Sequence, residues 1–494
     1  MNLDHAHCYG ALRTRDPRFD GRFFTGVTST GVYCRPICPA RTPKPEHCRF
    51  FACAAAAEEA GFRACRRCRP ETTPGTPAWS GTSATVDRAV RLIAAGALDS
   101  GGVEDLAARL GLGGRQVRRL FQEHLGVSPA GLARTRRAHF ANQLLIETDL
   151  AMGQVALAAG YPGTRRFNAA MRQVFDATPT EIRQRRRTRA HAATDCGQPG
   201  PLTVRLAAHA PLDWRGLLAF LAPRAIPGVE MVAGDTYRRS FRLGDVAGIV
   251  SLAPAPDGTA LRLQVPLAAA AHLATLVQRA RHLADLDADV QAIGDVLADQ
   301  PRLRPLIKRH GCPRVPGAWD PFETAVRAIL GQQITVAAAT TLAGRLVAQF
   351  GDPLPDPPAG GPQRLFPRPA VLADADLSAL GVPRTRAATL QHLARAVAAG
   401  RPVLEPAPDL AAAVARLVAL PGIGDWTAHY VAMRALHEPD ALPAGDLVLR
   451  QALADGGVLP TPAAVTRLAE PWRPWRAYAA MLIWRHQSRR KDPR

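Results

Sequence analysis

Two groups of residues in this 494-residue chain have the types and spacing for chemistry. The first is four cysteines, Cys34 and Cys38 in Cys34-Arg35-Pro36-Ile37-Cys38 and Cys65 and Cys68 in Cys65-Arg66-Arg67-Cys68, with 26 residues between the pairs. Two short-spaced pairs suit four thiolates around one tetrahedral Zn²⁺. Cys48 and Cys53 are near, but nothing requires them as ligands, and they read as packed thiols. The second group is one acid behind a glycine turn. Leu420-Pro421-Gly422-Ile423-Gly424 makes a tight turn with uncovered backbone amides. The apolar run after Gly424 has helical periodicity, so a helix N-terminus opens there that can seat a phosphate. Sixteen residues past Tyr430, Asp446 closes the loop Pro443-Ala444-Gly445-Asp446, ahead of a helical run from Leu447 to Ala454. A lone Pro-Gly-Ile-Gly is most often an ordinary turn between helices; the spaced acid makes it more than that. One carboxylate so placed can stabilise positive charge developing in a transition state and orient a water.

The chain is too long for one core and should hold three or four domains. Lys and Arg number 62 against 42 Asp and Glu, and the formal charge of +20 points to a polyanionic partner. Three of the basic residues are lysines, Lys44, Lys308 and Lys491; a composition rich in Arg and Ala explains that bias but not the net charge. Met1 to Gly10 is polar, and no apolar run approaches the length that crosses a bilayer. A cytoplasmic protein with no membrane partner is expected. There, nine cysteines serve metal or thiol chemistry rather than disulfides.

Four parts are expected. Residues 1–75 hold the cysteine cluster. A Pro/Thr/Gly/Ser linker from Thr72 to Ser83 precedes residues 82–190, where Leu106-Ala107, Gly111-Leu112 and Ser128-Pro129 recur as Val155-Ala156, Gly160-Tyr161 and Thr178-Pro179. Such a repeat, with a glycine turn between short helices in each copy, is what a doubled helix-turn-helix needs. The second helix of each copy would enter the major groove. This nominates Arg115, Gln116, Arg118 and Arg119, then Thr164, Arg165, Arg166 and Asn168. Solvated arginines compete with that reading, and the basic run Arg183 to Arg189 suits backbone or solvent better than bases. A second linker, His191 to Pro201, leads to residues 200–285, a small α/β domain. Its strands are Leu202 to Leu206, Tyr237 to Leu243, Ala247 to Leu252 and Ala260 to Val265, with a helix from Trp214 to Ala222. Residues 286–494 read as helical, through Phe322, Val326, Ile329 and Leu330, then Leu390 to Ala398 and Leu410 to Leu420, with a long exposed loop from Gly351 to Pro369.

The hairpin and spaced acid, with Phe322 to Gln333 and Trp472 to Tyr478, resemble the helix-hairpin-helix DNA glycosylases, and among them the 3-methyladenine DNA glycosylase II family, over roughly residues 200–488. Phe23 to Pro36 and Ala60 to Cys65 resemble the N-terminal domain of Ada-type methylphosphotriester sensors, and the doubled helix-turn-helix resembles AraC-type regulators. The fold so implied is multidomain and mainly α. It comprises a small zinc-bound α/β N-terminal domain, a doubled helix-turn-helix, a small α/β domain and an all-helical helix-hairpin-helix glycosylase domain.

By resemblance, Cys34 is the sulfur that accepts a methyl group from a DNA methylphosphotriester, once per chain. Turning one of four zinc-bound thiolates into a thioether changes the site's charge from about −2 to about −1, which lowers its repulsion from phosphates. The resemblance also makes Asp446 the carboxylate of base excision, and Trp426, Tyr430 and Trp484 the aromatic pocket for a flipped, alkylated base of the 3-methyladenine or 7-methylguanine type. A cationic base stacked there gains about 2 kcal/mol or more from cation–π attraction. Ordinary aromatic core competes with that reading and better suits Trp472 and Trp475. Gly422 and Gly424 would meet the DNA backbone, with a monovalent cation held by carbonyls around Leu420 and Ile423. Gln333 stands where the family has an apolar wedge, which puts the wedge role in question.

The expected partners are therefore alkylated and promoter double-stranded DNA and, through activation, RNA polymerase. The competing readings are a regulator with a catalytically inert C-terminal half and a plain zinc-containing DNA-binding protein. No Pro-Cys-His-Arg segment is present, so the second alkyl-transfer activity of Ada-type proteins is not expected; Gly311-Cys312-Pro313-Arg314 only echoes it. Relatives with lyase activity carry a lysine two residues after the second hairpin glycine, where this chain has Trp426. Borohydride treatment during reaction with DNA is accordingly expected to trap no covalent complex, and a trapped species would overturn the monofunctional reading.

Overall fold

The computed structural model describes residues 4–73, 84–99, 101–190 and 201–491. Nearly all of the two expected linkers lies outside these residues. The chain divides into two compact units: Met1–Leu212 with Pro254–Gln278 and Leu286–Ala288, and Asp213–Ala253 with Arg279–Asp285 and Asp289–Arg494. The 200–285 segment is thus shared between units rather than forming one of its own.

In the first unit, β1 (Phe24–Val27), β2 (Val32–Cys34), β3 (Cys48–Phe51) and β4 (Arg63–Ala64) form a sheet in the order β3-β1-β2-β4. A side chain at Gly26 would meet the Phe51 and Phe62 rings at 2.8 and 2.9 Å, so glycine lets these aromatics close over the sheet. The Ala54–Glu59 helix buries Ala55 and Ala56, with Cys53, in the same apolar cluster as Val86, Leu106, Phe121 and Leu125. The cysteine domain and the helices after residue 84 therefore share one core.

Those helices form the doubled helix-turn-helix. Val103–Arg109 and Gly114–Leu125 make the first copy, Met152–Ala158 and Thr164–Phe175 the second, and the 19-residue Pro129–Glu147 helix runs between them. Gly111 and Gly160 turn at φ of 69° and 79°, which a side chain would strain. Ser128 caps the next helix through the Gly131 amide at 3.0 Å, and Thr178 and Glu181 form a capping box, the Glu181 amide donating to Thr178 Oγ1 at 3.2 Å and the Thr178 amide to Glu181 Oε2 at 2.8 Å.

One buried carboxylate stitches this unit together. Glu58 accepts from the Tyr33 hydroxyl at 2.8 Å and from Thr135, and His139 Nε2 lies 3.0 Å away. Burial alone would raise its pKa, but His139 and the two hydroxyls outweigh that and hold it below the usual range. β5 (Leu202–Ala207) pairs antiparallel with β9 (Ala260–Val265). Gln143 donates to the Arg205 carbonyl at 2.6 Å and the Arg205 amide donates to Glu147 at 2.8 Å, which ties this strand pair to the Pro129–Glu147 helix.

The second unit holds the antiparallel meander β6 (Glu230–Ala233), β7 (Thr236–Leu243) and β8 (Val246–Pro254). β6 escapes the sequence pattern because none of its residues is fully buried, so no alternation marks it. Trp214–Leu221 stops as an α-helix one residue before the expected Ala222, and a 3₁₀ turn at Ala222–Arg224 containing Pro223 follows. The helical core gathers the inward faces of Pro321–Leu330, Val336–Phe350, Arg384–Ala398, Leu410–Val418 and Asp425–Arg434. The tip of the 351–369 loop is exposed, while Leu354 and Leu365 are buried and pin both arms.

Asp285 is a second structural carboxylate. It is buried, adopts φ 49°, and accepts from the Val315 amide at 2.9 Å and the Tyr478 hydroxyl at 3.1 Å, with His437 Nε2 at 3.0 Å. Asp285→Ala would strand these donors in the interior. The expected loss is about 3 kcal/mol, read as a lower urea midpoint at unchanged slope.

Candidate active site and metal centre

Cys34 ends β2, and the turn after it brings Cys38 back, while Cys65 and Cys68 follow β4, which runs parallel to β2. The four sulfurs all lie within 4.8 Å of one another. Zn–S bonds of about 2.3 Å fit inside such a cluster. The Arg35 amide donates to Cys68 Sγ at 3.3 Å, and the Arg35 guanidinium is clamped by Asp20. Hydrogen bonds among the four thiols pull Cys65 and Cys38 below the usual thiol range and push Cys34 and Cys68 above it, so the cluster shares its protons unevenly. Cys38, Cys65 and Cys68 are buried, whereas Cys34 is half-buried. Cys48 and Cys53 are buried elsewhere and take no part.

In the second unit, Leu410–Val418 and Asp425–Arg434 flank the glycine turn. Gly422 has φ 84°, and a side chain there would collide with Thr389 Oγ1. Glycine is required twice, for conformation and for contact with the Arg384–Ala398 helix. Gly424 is exposed, a Cβ added to it would stand in open space, and it opens the next helix without a side-chain cap. Its amide end is free to face an anion. Gln332 donates to the Gly422 carbonyl at 3.2 Å and to Thr427 Oγ1 at 3.0 Å, while Arg386 holds the Gln332 carbonyl at 2.6 Å. These bonds hold up the next residue, Gln333, which is exposed and in the left-handed region at φ 58°.

Asp446 is the N-cap of the Leu447–Ala452 helix, accepting from the Leu449 amide at 3.0 Å. Its Oδ1 also accepts from Trp484 Nε1 at 2.9 Å, and its Oδ2 from Trp426 Nε1 at 3.3 Å. Tyr430 stacks on Trp426, with centroids 5.4 Å apart and planes 13° from parallel, and lies 6.4 Å from Trp484. All four residues, with Gly422, Gly424 and Gln333, line one cavity of about 1180 Å³. That exceeds what a single base fills, leaving room for its sugar. Trp472 and Trp475 are buried away from it.

The cavity's rear wall is charged. Arg434 donates to the Tyr430 hydroxyl at 2.7 Å, and Arg224 and Arg327 also line it. Burial would raise the Tyr430 pKa, but Arg434, Arg224 and Arg327 outweigh it and bring it below the ordinary value. Behind them Arg239 is buried between Glu230 at 3.3 Å and Glu323 at 2.7 Å, and burial, with Asp320 and Glu230 nearby, lifts Glu323 to about 7.

On the helix-turn-helix, Arg115, Gln116, Arg118 and Arg119 share the exposed face of Gly114–Leu125. Thr164, Arg165, Arg166 and Asn168 are exposed on Thr164–Phe175. Arg118 pairs with Glu104 at 2.9 Å.

Comparison with known proteins places this geometry. Over 484 residues the chain is 44% identical to the probable bifunctional transcriptional activator/DNA repair enzyme AlkA of Mycobacterium tuberculosis, covering 98% of this chain and 97% of that one. The chain belongs to this family. Its segments match the metal binding domain of Ada (residues 7–71), a helix-turn-helix domain (106–185), the AlkA N-terminal domain (203–320) and the HhH-GPD superfamily of base excision DNA repair proteins (326–474). It is 37% identical to DNA-3-methyladenine glycosylase 2 of Escherichia coli over 277 residues, 56% of this chain and 94% of that one. The fold is also that of the 3-methyladenine DNA glycosylase from Archaeoglobus fulgidus, with a TM-score of 0.50 and 21% identity over 57% of this chain and 98% of that one. The chain is thus a DNA-binding member of a repair and regulatory family, and its four clustered cysteines fit one Zn²⁺. Among the described residues no helix is long and apolar enough to cross a membrane.

Pattern reading missed two things. It assigned Trp426 and Trp484 to the pocket walls, whereas both indoles also donate to Asp446. It gave no role to Arg224, Arg327 or Arg434, which are scattered in sequence and carry no motif. The cysteine assignment is directly testable by native mass spectrometry. Wild type and Cys53→Ala are expected to carry one zinc per chain, and Cys65→Ala to lose it.

Proposed function

We propose that this protein senses and repairs DNA alkylation in two ways. Cys34 takes a methyl group from a methylphosphotriester, and the C-terminal half excises alkylated bases by hydrolysis at Asp446. One observation carries the excision reading: a single carboxylate, gripped by two indole N–H groups and a helix N-terminus, lies in an aromatic-lined cavity beside a glycine hairpin.

The residues divide the work. The amides at Gly422 and Gly424 seat a DNA phosphate, and Gln333 enters the gap left by the flipped nucleotide. The base packs against the stacked Trp426–Tyr430 pair and Trp484. As the C1′–N bond breaks, its electron pair leaves with the base, and the Asp446 carboxylate stabilises the positive sugar. Water adds at C1′ and passes its proton to the Asp446 carboxylate. Among the described residues no lysine lines the cavity to compete for the sugar, so the product is an abasic site. In the sensor, Cys34, Cys38, Cys65 and Cys68 would hold Zn²⁺, whose charge would favour their thiolate forms. Cys34 is the accessible one; its sulfur bonds the methyl carbon as the methyl C–O bond breaks, and the electron pair stays on the phosphate oxygen, leaving a phosphodiester anion. The exposed faces of Gly114–Leu125 and Thr164–Phe175 then read promoter DNA.

Methylated duplex DNA tests both halves together. Wild type is expected to free 3-methyladenine or 7-methylguanine. Asp446→Asn should lose at least about a hundredfold in rate, and Trp484→Phe, which keeps an aromatic ring but drops one hydrogen bond, about tenfold. All three proteins should gain one methyl group at Cys34 by mass. Methylation of Cys34 without release of any base would leave a regulator whose C-terminal half only binds DNA.

A further inference from the structure

The rear wall of the cavity holds more positive charge than any carboxylate there balances. Among the described residues Arg224, Arg327 and Arg434 line the cavity without an ion-pair partner, while Glu230 and Glu323 are taken up by Arg239. Arg434 is buried and Arg224 and Arg327 are half-buried; guanidiniums withdrawn from water are normally paired, so three together without a counter-ion call for one. The group on which they converge is the hydroxyl of Tyr430. We propose that Tyr430, positioned by Arg434, sets the pocket's choice between positively charged and neutral bases. The inference rests on the excision reading above and names the charge class that the site selects.

The geometry leaves Arg434 little freedom. Its Nε donates to the Pro316 carbonyl and a terminal nitrogen to the Gly317 carbonyl at 3.3 Å, so the nitrogen that meets Tyr430 at 2.7 Å is fixed. Its guanidinium sits 4.8 Å from the Phe220 ring centroid, and that of Arg224 sits 3.8 Å from the same centroid. Arg327 is anchored to the Arg224 carbonyl and to Thr340 at 3.3 Å. With a neutral phenol at Tyr430 the wall repels a cationic base. A phenolate cancels one of the three charges and presents negative charge on a ring already stacked against Trp426. The same three arginines favour that form, so ionisation begins below the ordinary tyrosine value of about 10 and grows as pH rises. Selectivity for a cationic base should therefore rise with pH.

Other charged groups face Tyr430. Arg327 and Glu323 stand on the Pro321–Leu330 helix, Arg224 follows Trp214–Leu221, and Glu230 and Arg239 come from β6 and β7. Asp446 borders the cavity, and His282 Nε2 lies 3.2 Å from the Arg434 carbonyl. Asp446 acts on the sugar of every substrate and cancels in a ratio of rates. Glu323, at about 7, is separated from Tyr430 by substitution.

The experiment uses the full-length protein and two lesions in one duplex sequence: 3-methyladenine, a fixed cation, and 1,N6-ethenoadenine, neutral over the range. Their kcat/KM ratio is measured from about pH 6 to 10. In wild type the cation's advantage should grow on the order of tenfold toward alkaline pH. Tyr430→Phe should abolish that alkaline rise. Arg224→Met, which removes one cation, should displace it to higher pH. A flat wild-type ratio, or an unchanged rise in Tyr430→Phe, overturns the proposal while leaving excision intact. If Tyr430→Phe fails to fold, an undisplaced rise in Arg224→Met overturns it. Release of neither base by wild type would instead refute the excision reading on which it rests.

Discussion

The carboxylate of Asp446 is held by N–H donors from three separate pieces of chain: Trp426 on Asp425–Arg434, Trp484 on Arg476–Lys491, and the Leu449 amide on Leu447–Ala452. A charged acceptor with three directional bonds cannot shift without breaking one. The two indoles that grip it are also walls of the cavity, so the position of the acid and the width of the pocket form a single constraint. Gly422 extends that constraint to the DNA-facing turn. Its contact with Thr389 sets how closely the hairpin can lie against Arg384–Ala398, and Gln332 ties the hairpin to the turn that carries Gln333.

The first unit solves a different problem, joining a small metal-binding sheet to DNA-reading helices. Alanines of the Ala54–Glu59 helix enter the same core as Phe121 and Leu125, and Glu58 bonds Tyr33 on one side and Thr135 and His139 on the other. Tyr33 immediately precedes Cys34. A buried carboxylate that lost one of these partners would be costly, so the sheet and the Pro129–Glu147 helix are held in a fixed relation.

What could be read from the sequence was what short spacing encodes. The cysteine pairs, the hairpin, the acid at its fixed distance and the displaced repeat each occupy a few turns of chain, and their chemistry follows from residue type. The strands β5, β7, β8 and β9 were visible through alternation, whereas β6, without a buried face, was not. Pairs distant in sequence were invisible: Asp285 with Tyr478, Glu58 with His139, and Arg224 with the cavity of Tyr430 obey no local period. The long loop is exposed at its tip, as its prolines suggested, but nothing local marked Leu354 and Leu365 as the buried residues that anchor it.

Asp446 has one more property, which follows from its place at the start of a helix. Most residues that do chemistry cost a fold stability, and drift removes them once the chemistry is no longer needed. Here the carboxylate also caps Leu447–Ala452, and its loss to alanine would cost about 1 kcal/mol whatever the protein does. Selection for folding alone would therefore favour an oxygen-bearing side chain at this position. Asparagine serves as a cap nearly as well, so a lineage that abandoned the reaction could exchange acid for amide at little cost. The choice between those two side chains, rather than the presence of a polar one, carries the imprint of selection on catalysis.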